Sequence, residues 1–256
     1  MKRIEVELME PVTLFAKKYH VDLSDVDFKK KLKLSTLFSY FQDAASDAAS
    51  NLGAGIDVLE DSGIAWILMR IRVDILRLPK WDEEIVIETW PLEPKRLEFE
   101  RDYLVKDNDG NTIIRAVSAW VIMDRVERKL MRSDSIALKY PTIIEERAIH
   151  CKLGKLKKNG QLEKSYERVI GYSDVDFNGH LNNSKYIDFM MDCFPIEDHM
   201  KSSPKRLEVN FVNEVLPGET IILHKDTSMI EEKRLYIEGI NENTEKPVFK
   251  AVVEIE

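Results

Sequence analysis

The amino-acid sequence predicts an α+β protein of two tandem units, each a long helix wrapped by a curved antiparallel β-sheet. Three observations carry that expectation. The tetrapeptide Asp-Val-Asp-Phe occurs at 25–28 and again at 174–177, an offset of 149. The register holds beyond it, with Leu32 falling on Leu181, Tyr40 on Phe189 and Asp43 on Asp192, the mark of a duplicated unit. After each copy the apolar period is first that of a helix and then that of strands.

In the first unit Leu34, Leu37, Phe38, Phe41, Ala45 and Ala48 keep the spacing of a helix with one apolar stripe, with Ser35 as its start and Gly53 as its stop. Runs rich in branched and aromatic residues follow at 65–76, 84–90, 98–105 and 112–123, and Asp109-Gly110 marks a hairpin turn. In the second unit Ile187, Met190, Met191 and Phe194 repeat the helical spacing, Pro195 ends it, and Asn182 or Asn183 caps its start. Strand patterns then cover 207–213, 220–224, 234–240 and 248–255. One strand, one helix and a run of antiparallel strands in each unit describe the hotdog arrangement, here in tandem as a double hotdog.

A chain of 256 residues, 44% hydrophobic and 33% charged, suits two globular units with a core apiece. The expected division is 1–144, a Lys/Glu-rich linker at 145–164 that contains Gly154, Asn159 and Gly160, and 165–256. No stretch approaches the ~20 apolar residues of a membrane span. The start Met1-Lys2-Arg3-Ile4-Glu5-Val6-Glu7 lacks the apolar core of a secretory signal, so a cytoplasmic protein with no membrane partner is expected. Cys151 and Cys193, the two cysteines, read as free thiols without metal-ligand neighbours. The net charge of −8 opposes nucleic-acid binding through the whole surface. Local basic patches remain at Lys29, Lys30, Lys31 and Lys33, at Lys152, Lys155, Lys157 and Lys158, and at Arg125, Arg128, Lys129 and Arg132.

Only the second tetrapeptide continues into Asn178-Gly179-His180-Leu181-Asn182-Asn183; the first copy has Lys29, Lys31 and Lys33 at the places of Asn178, His180 and Asn182. Asp176, Asn178, His180 and Asn182 alternate along a segment that leads into a helix N-terminus, where free amides and the dipole favour negative charge. Asp174 and Asn183 suit turn and capping roles. The segment also opens like a calcium loop. The twelfth position from Asp174, however, is Lys185, where a bidentate carboxylate is required. Neither a metal nor a cofactor is expected.

The run from Asp176 to Ile187 resembles the signature of the plant and bacterial acyl-acyl-carrier-protein thioesterases. Ile64-Ala65-Trp66, Met69-Arg70, Pro79-Lys80-Trp81, Glu88-Thr89-Trp90, Arg101-Asp102-Tyr103 and Ala119-Trp120-Val121 resemble that family's first-half landmarks in the same order. The resemblance implies a double hotdog, hydrolysis of fatty acyl-acyl-carrier protein, and catalytic roles for Asp176, Asn178 and His180. It adds Glu214, carried in the pattern Phe211-Val212-Asn213-Glu214. Val215 stands where many plant members have cysteine, so a thiol at that position plays no part. Sliding the first unit onto the second by the Trp81/Gly218 turn puts Arg77 at the place of Glu214, and the first unit is expected to lack the catalytic groups. With no transit segment ahead of it, a bacterial enzyme is expected rather than a plastid one.

Thioester hydrolysis needs an activated water or an enzymic nucleophile, and donors aimed at the oxyanion. The backbone amides from His180 to Asn182 are the expected donors. Two carboxylate assignments stand open: Glu214 as general base with Asp176 orienting, or Asp176 as nucleophile in a transient anhydride. Asn182 is a candidate substrate contact, Ala45 and Ala48 candidate walls of the acyl tunnel, and Lys29 and Lys31 candidate docking residues for the acidic carrier protein. The alternatives are a hotdog thioesterase acting on acyl-coenzyme A and a non-catalytic acyl-binding module. A homodimer is compatible with the sequence.

Overall fold

Leu34, Leu37, Phe38, Phe41, Ala44 and Ala45 recur at helical spacing and are all buried, which fixes the long helix α1 (Leu34–Asn51) over the inner face of a sheet. The helix stops at Leu52, and Gly53 follows with φ 81°, the left-handed residue that commonly ends a helix. In a computed structural model, the structure describes residues 11–256 apart from 137, 139, 158 and 159. The opening residues Met1 to Glu7 and the linker residues Lys158 and Asn159 lie outside the described residues.

The first half contains β1 (Phe15–His20), α1, the short α2 (Ile56–Asp61), β2 (Ile64–Ile75), β3 (Glu84–Pro91), β4 (Phe99–Lys106) and β5 (Thr112–Asp124). The second contains β6 (Glu163–Val169), α3 (Asn183–Met191), α4 (Ile196–Lys201), β7 (Pro204–Phe211), β8 (Thr220–Asp226), β9 (Arg234–Asn241) and β10 (Pro247–Ile255). Every strand expected from the alternating pattern is present within a few residues. The two six-residue helices α2 and α4 were not foreseen, because so short a segment shows no helical period. β6 begins at Glu163, inside the stretch read as linker.

The ten strands form one antiparallel sheet in the order β1-β3-β4-β5-β2-β7-β10-β9-β8-β6. Read outward from the β2–β7 join, the two halves have the same strand order, so the duplication in sequence is a duplication in topology. α1 and α3 lie against each other, and one apolar core runs through both halves. Phe41 packs at a tilt on Tyr103 in the first half, while Tyr186 meets Phe211 and Phe249 edge-on in the second.

The backbone of the repeated loop is the same in both copies. Asp27 N–H donates to the Lys31 carbonyl at 2.8 Å and Asp176 N–H to that of His180 at 2.9 Å. Lys33 N–H bonds the Asp25 carbonyl at 2.9 Å, and Asn182 N–H bonds that of Asp174 at 2.9 Å. Leu32 N–H reaches the Pro79 carbonyl at 2.8 Å, and Leu181 N–H reaches that of Val215 at 3.0 Å. This last pair corrects the register across the strands. Pro79 matches Val215, and the left-handed Asp82 (φ 66°) matches Gly218 (φ 84°), so the residue at the place of Glu214 is Leu78 rather than Arg77. Arg77 instead pairs with Glu83 and Asp107. Nor does the first half lack every proposed group, since Asp27 stands where Asp176 does.

At the join, Asp74 and Arg206 face each other across β2 and β7. Asp74 accepts from Arg72 Nε at 3.0 Å and Arg206 Nε at 2.8 Å, and Arg206 also reaches Glu254 at 2.6 Å. Burial pushes the Asp74 carboxyl up, but the two guanidinium donors outweigh it and hold it below the ordinary aspartate value of 3.8. Its stabilising contribution is therefore complete above that value and is lost as pH falls through the depressed one. Asp74→Asn should cost about 1–2 kcal/mol at neutral pH, the site being part-exposed. Urea unfolding at a series of pH values checks this: the gap from the parent protein should shrink on acidification below the ordinary aspartate range.

Candidate active site

The second copy of the loop is built around two carboxylates, one buried and one half-buried. Asp174, 2% exposed, accepts from Gly171 N–H at 2.9 Å and from Arg168 Nη2 at 3.1 Å through both oxygens, which pins the loop's start. Asp176 Oδ1 then accepts the amides of Asn178 at 2.9 Å and His180 at 3.4 Å. Gly179 takes φ 80° between them, a conformation that a residue with a Cβ rarely adopts. The first copy has the same contacts, Asp27 Oδ1 accepting from Lys29 and Lys31, with Lys30 forced to φ 56°. Asn182 is the N-cap of α3, its Oδ1 accepting from Ser184 N–H and Oγ, both at 2.9 Å. Asn183 is the first helical residue.

The Leu181–Val215 bond draws the segment after β7 against this loop and delivers Glu214 to His180. Their Oε2 and Nε2 atoms are 3.6 Å apart. Glu214 also makes a close ion pair with Arg128, which comes from the turn after β5 in the other half and has φ 55°. The Asn178 side-chain amide has no hydrogen-bond partner among the described residues. It faces the same cavity as Asp176, His180 and Glu214.

That cavity has a volume of about 770 Å³, within the range of small-molecule sites. Its wall is mostly apolar, with Ala45 and Ala49 of α1, Leu59 of α2, Trp66 and Leu68 of β2, Trp120 of β5, Tyr186 of α3 and Phe211 of β7. A smaller cavity of about 440 Å³, which adds Leu216, Thr244 and Lys246, shares Arg128, His180, Asn213 and Glu214 with the first. The cluster thus stands where the two meet. Burial, with the charges of Glu214 and Asp176, pushes the Tyr186 phenol up, so it stays protonated. Burial also raises the Cys193 thiol to about 11 and pushes the Cys151 thiol up, and neither cysteine lines the cavity. Both are thiols, not thiolates, at neutral pH.

Several sequence expectations change here. The amides of His180, Leu181 and Asn182 are already bonded to Asp176, Val215 and Asp174, so they are not free to hold an oxyanion. Asn182 lines the cavity, but its oxygen is committed to the cap. Ala45 is a cavity wall, whereas Ala48 is buried outside it. Lys29 is not a free docking cation: its Nζ bonds the His199 and Ser202 carbonyls at 2.5 and 3.0 Å, around the C-terminus of α4. Lys31 lies outside both cavities. Arg128, read as part of a docking patch, is the ion partner of Glu214, and no local signal in the sequence marks that role.

Two helix-on-sheet units fused through one antiparallel sheet, with a His–Asn–carboxylate cluster where two cavities meet, define a double-hotdog protein with a candidate site among the described residues. The chain belongs to the acyl-ACP thioesterase family: the model of the family's N-terminal domain matches residues 12–137 and that of its C-terminal domain residues 157–252. The chain is similar to the crystal structure of an acyl-ACP thioesterase from Bacteroides thetaiotaomicron, with a TM-score of 0.84, 26% identity, and coverage of 95% of this chain and 98% of that one. The 12:0-ACP thioesterase from Umbellularia californica has the same fold, with a TM-score of 0.83 at 18% identity over 95% of this chain and 97% of that one. Oleoyl-acyl carrier protein thioesterase 2 of Arabidopsis thaliana is 28% identical over 207 residues, which are 74% of this chain and 56% of that protein. The chain spans about half the length of the curated relatives it matches.

If Asn182 acts as a cap, Asn182→Ala should cost about 1 kcal/mol of stability. Asn182→Asp, which retains an acceptor oxygen, should stay within a few tenths of the parent protein. Thermal melts of the two variants side by side check this, and equal losses would remove the capping role.

Proposed function

We propose that this protein hydrolyses the thioester of fatty acyl-acyl-carrier protein, releases the free fatty acid and thereby ends chain elongation. The observation that carries this reading is the His180–Glu214–Arg128 cluster at the junction of the two cavities. The larger, apolar cavity suits a fatty acyl chain, and the smaller, polar one suits the arm that joins the thioester to its carrier. The relatives are named for thioesters on acyl carrier protein, which favours the carrier over coenzyme A. The first half then holds most of the chain and lends Arg128, the stretch up to β6 connects, and the second half supplies the reacting groups, in a cytoplasmic setting where both thiols stay reduced.

Glu214 is the general base. It takes a proton from a water placed between it and His180, and the resulting hydroxide attacks the thioester carbonyl. The Asn178 amide, unpartnered and facing the cavity, donates to the developing oxyanion in place of the committed backbone amides. Glu214 passes that proton to His180, and when the tetrahedral intermediate collapses the C–S bond breaks and His180 delivers the proton to the leaving sulfur, which departs as the thiol beside the free acid. Arg128 pairs with Glu214 and keeps it turned toward His180. Asp176 orients the loop. Asp27 supports that assignment, because it makes the same two amide contacts in the copy that has neither asparagine nor histidine beside it.

The test is free fatty acid released from acyl-carrier proteins of graded chain length, beside matched acyl-coenzyme A. Release should be faster from the carrier. His180→Ala and Glu214→Gln should each lower kcat by about 10²- to 10⁴-fold, and Asn178→Ala by about 10²- to 10³-fold, with unchanged circular dichroism. Faster release from coenzyme A would overturn the choice of carrier, and binding without release would overturn hydrolysis.

A further inference from the structure

We propose that the Tyr186 hydroxyl is a catalytic hydrogen-bond donor, which joins the Asn178 amide on the oxygen of the thioester carbonyl. The proposal rests on the reading above that the cluster at the cavity junction hydrolyses a thioester. The other buried tyrosines among the described residues are bonded: Tyr103 OH accepts from Ser118 Oγ at 3.4 Å, and Tyr236 OH donates to Glu238 Oε2 at 2.8 Å. Tyr186 is 3% exposed and its hydroxyl has no hydrogen-bond partner among the described residues, although it lines the larger cavity with Asn178, His180 and Glu214.

The repeat separates what the fold needs at this position from what the site adds. At the offset of 149, Tyr186 falls on Leu37, and each is the fourth residue of its helix, α3 from Asn183 and α1 from Leu34. Leu37 is fully buried, so an apolar side chain suffices to seat the helix on the sheet. Phe211 and Phe249 seat the Tyr186 ring, which they meet edge-on. The hydroxyl is an addition, and it occurs in the half that carries Asn178 and His180.

Side chains in a helix lean toward its N-terminus, so a residue in the first turn of α3 is directed back over the loop from Asp176 to Asn182. Burial comes first among the influences that hold the phenol protonated, followed by the charges of Glu214 and Asp176. The phenol therefore keeps its proton as a donor beside the reacting centre. An oxyanion needs donors set in advance, and the amides of His180, Leu181 and Asn182 are taken by the loop's own bonds. Asn178 from the loop and Tyr186 from the helix behind it supply two donors that nothing in the protein occupies. A sheltered hydroxyl without a protein partner adds little to the stability of the free protein, and it gains its partner when a carbonyl oxygen enters the cavity.

Tyr186→Phe removes the oxygen alone. With acyl-carrier protein as substrate, kcat and kcat/KM should fall together by about 10²-fold across the pH profile. The variant should nevertheless melt within about 2 °C of the parent protein or above it, which a hydroxyl with a structural bond would not allow. A ¹³C-labelled carbonyl in the amide analogue of the acyl-carrier thioester, which resists hydrolysis, gives a readout without turnover. Its infrared stretch in the bound state should lie at higher frequency in Tyr186→Phe than in the parent protein. An unmoved band, or an unchanged kcat in the folded variant, overturns the proposal. A loss confined to the acid side of the profile, with the plateau kept, would place the phenol on Glu214 and overturn it too, because removing a donor raises a carboxylate's pKa. Should Tyr186→Phe not fold, Tyr186→Leu, which copies the matching place of α1, replaces it. A band that moves in a protein that hydrolyses nothing keeps the donor assignment and sinks hydrolysis.

Discussion

One carboxylate oxygen that gathers two backbone amides fixes the loop ahead of each long helix, and the site depends on that arrangement. Asp27 and Asp176 do the same work in the two halves, so the loop is a structural inheritance of the duplication and not a product of catalysis. What differs is what the loop carries. Three lysines in one copy face asparagine, histidine and asparagine in the other. The conserved frame holds His180 and Asn178 in place without spending any group that the proposed reaction needs.

The halves divide the remaining work through their helices. α1 has 18 residues and α3 has 9, although both start at the same point of the repeat. The longer helix, with Ala45 and Ala49 turned toward the cavity, opens room in the half that lacks the histidine. Arg128 crosses back from that half to Glu214, and Lys29 reaches from it to the end of α4. One continuous sheet joined at β2–β7, with Asp74 and Arg206 across the seam, keeps these long-range contacts in register.

The sequence made much of this legible for physical reasons. Side-chain period revealed α1 and the four strands that follow the long helix in each half, because one buried face dictates the alternation, whereas β6 was hidden in the stretch read as linker. The repeated tetrapeptide located the loop, and the family resemblance named Asp176, Asn178, His180 and Glu214. The register of Leu78 against Glu214 was misread by one residue, since the offset between halves falls from 149 at the loop to 136 at the strands and turn residues alone do not date the change. Amide commitments were illegible for a different reason. Leu181 N–H is taken by Val215, far along the chain, and only the folded sheet brings them together. The same holds for Arg128 and Lys29, whose partners are 86 and 170 residues away.

The central claim is that Asp176 holds the loop and does not attack the substrate. Asparagine at this position keeps an acceptor oxygen for both amides but is no nucleophile, whereas alanine keeps neither. The direct measurement is kcat/KM for Asp176→Asn beside Asp176→Ala, with mass spectrometry to verify that the asparagine has not deamidated. The account expects Asp176→Asn to stay within about tenfold of the parent protein, the cost of replacing a charged acceptor by a neutral one, and Asp176→Ala to fall much further. Equal inactivity of the two variants, both folded, would contradict it and return Asp176 to the reacting groups.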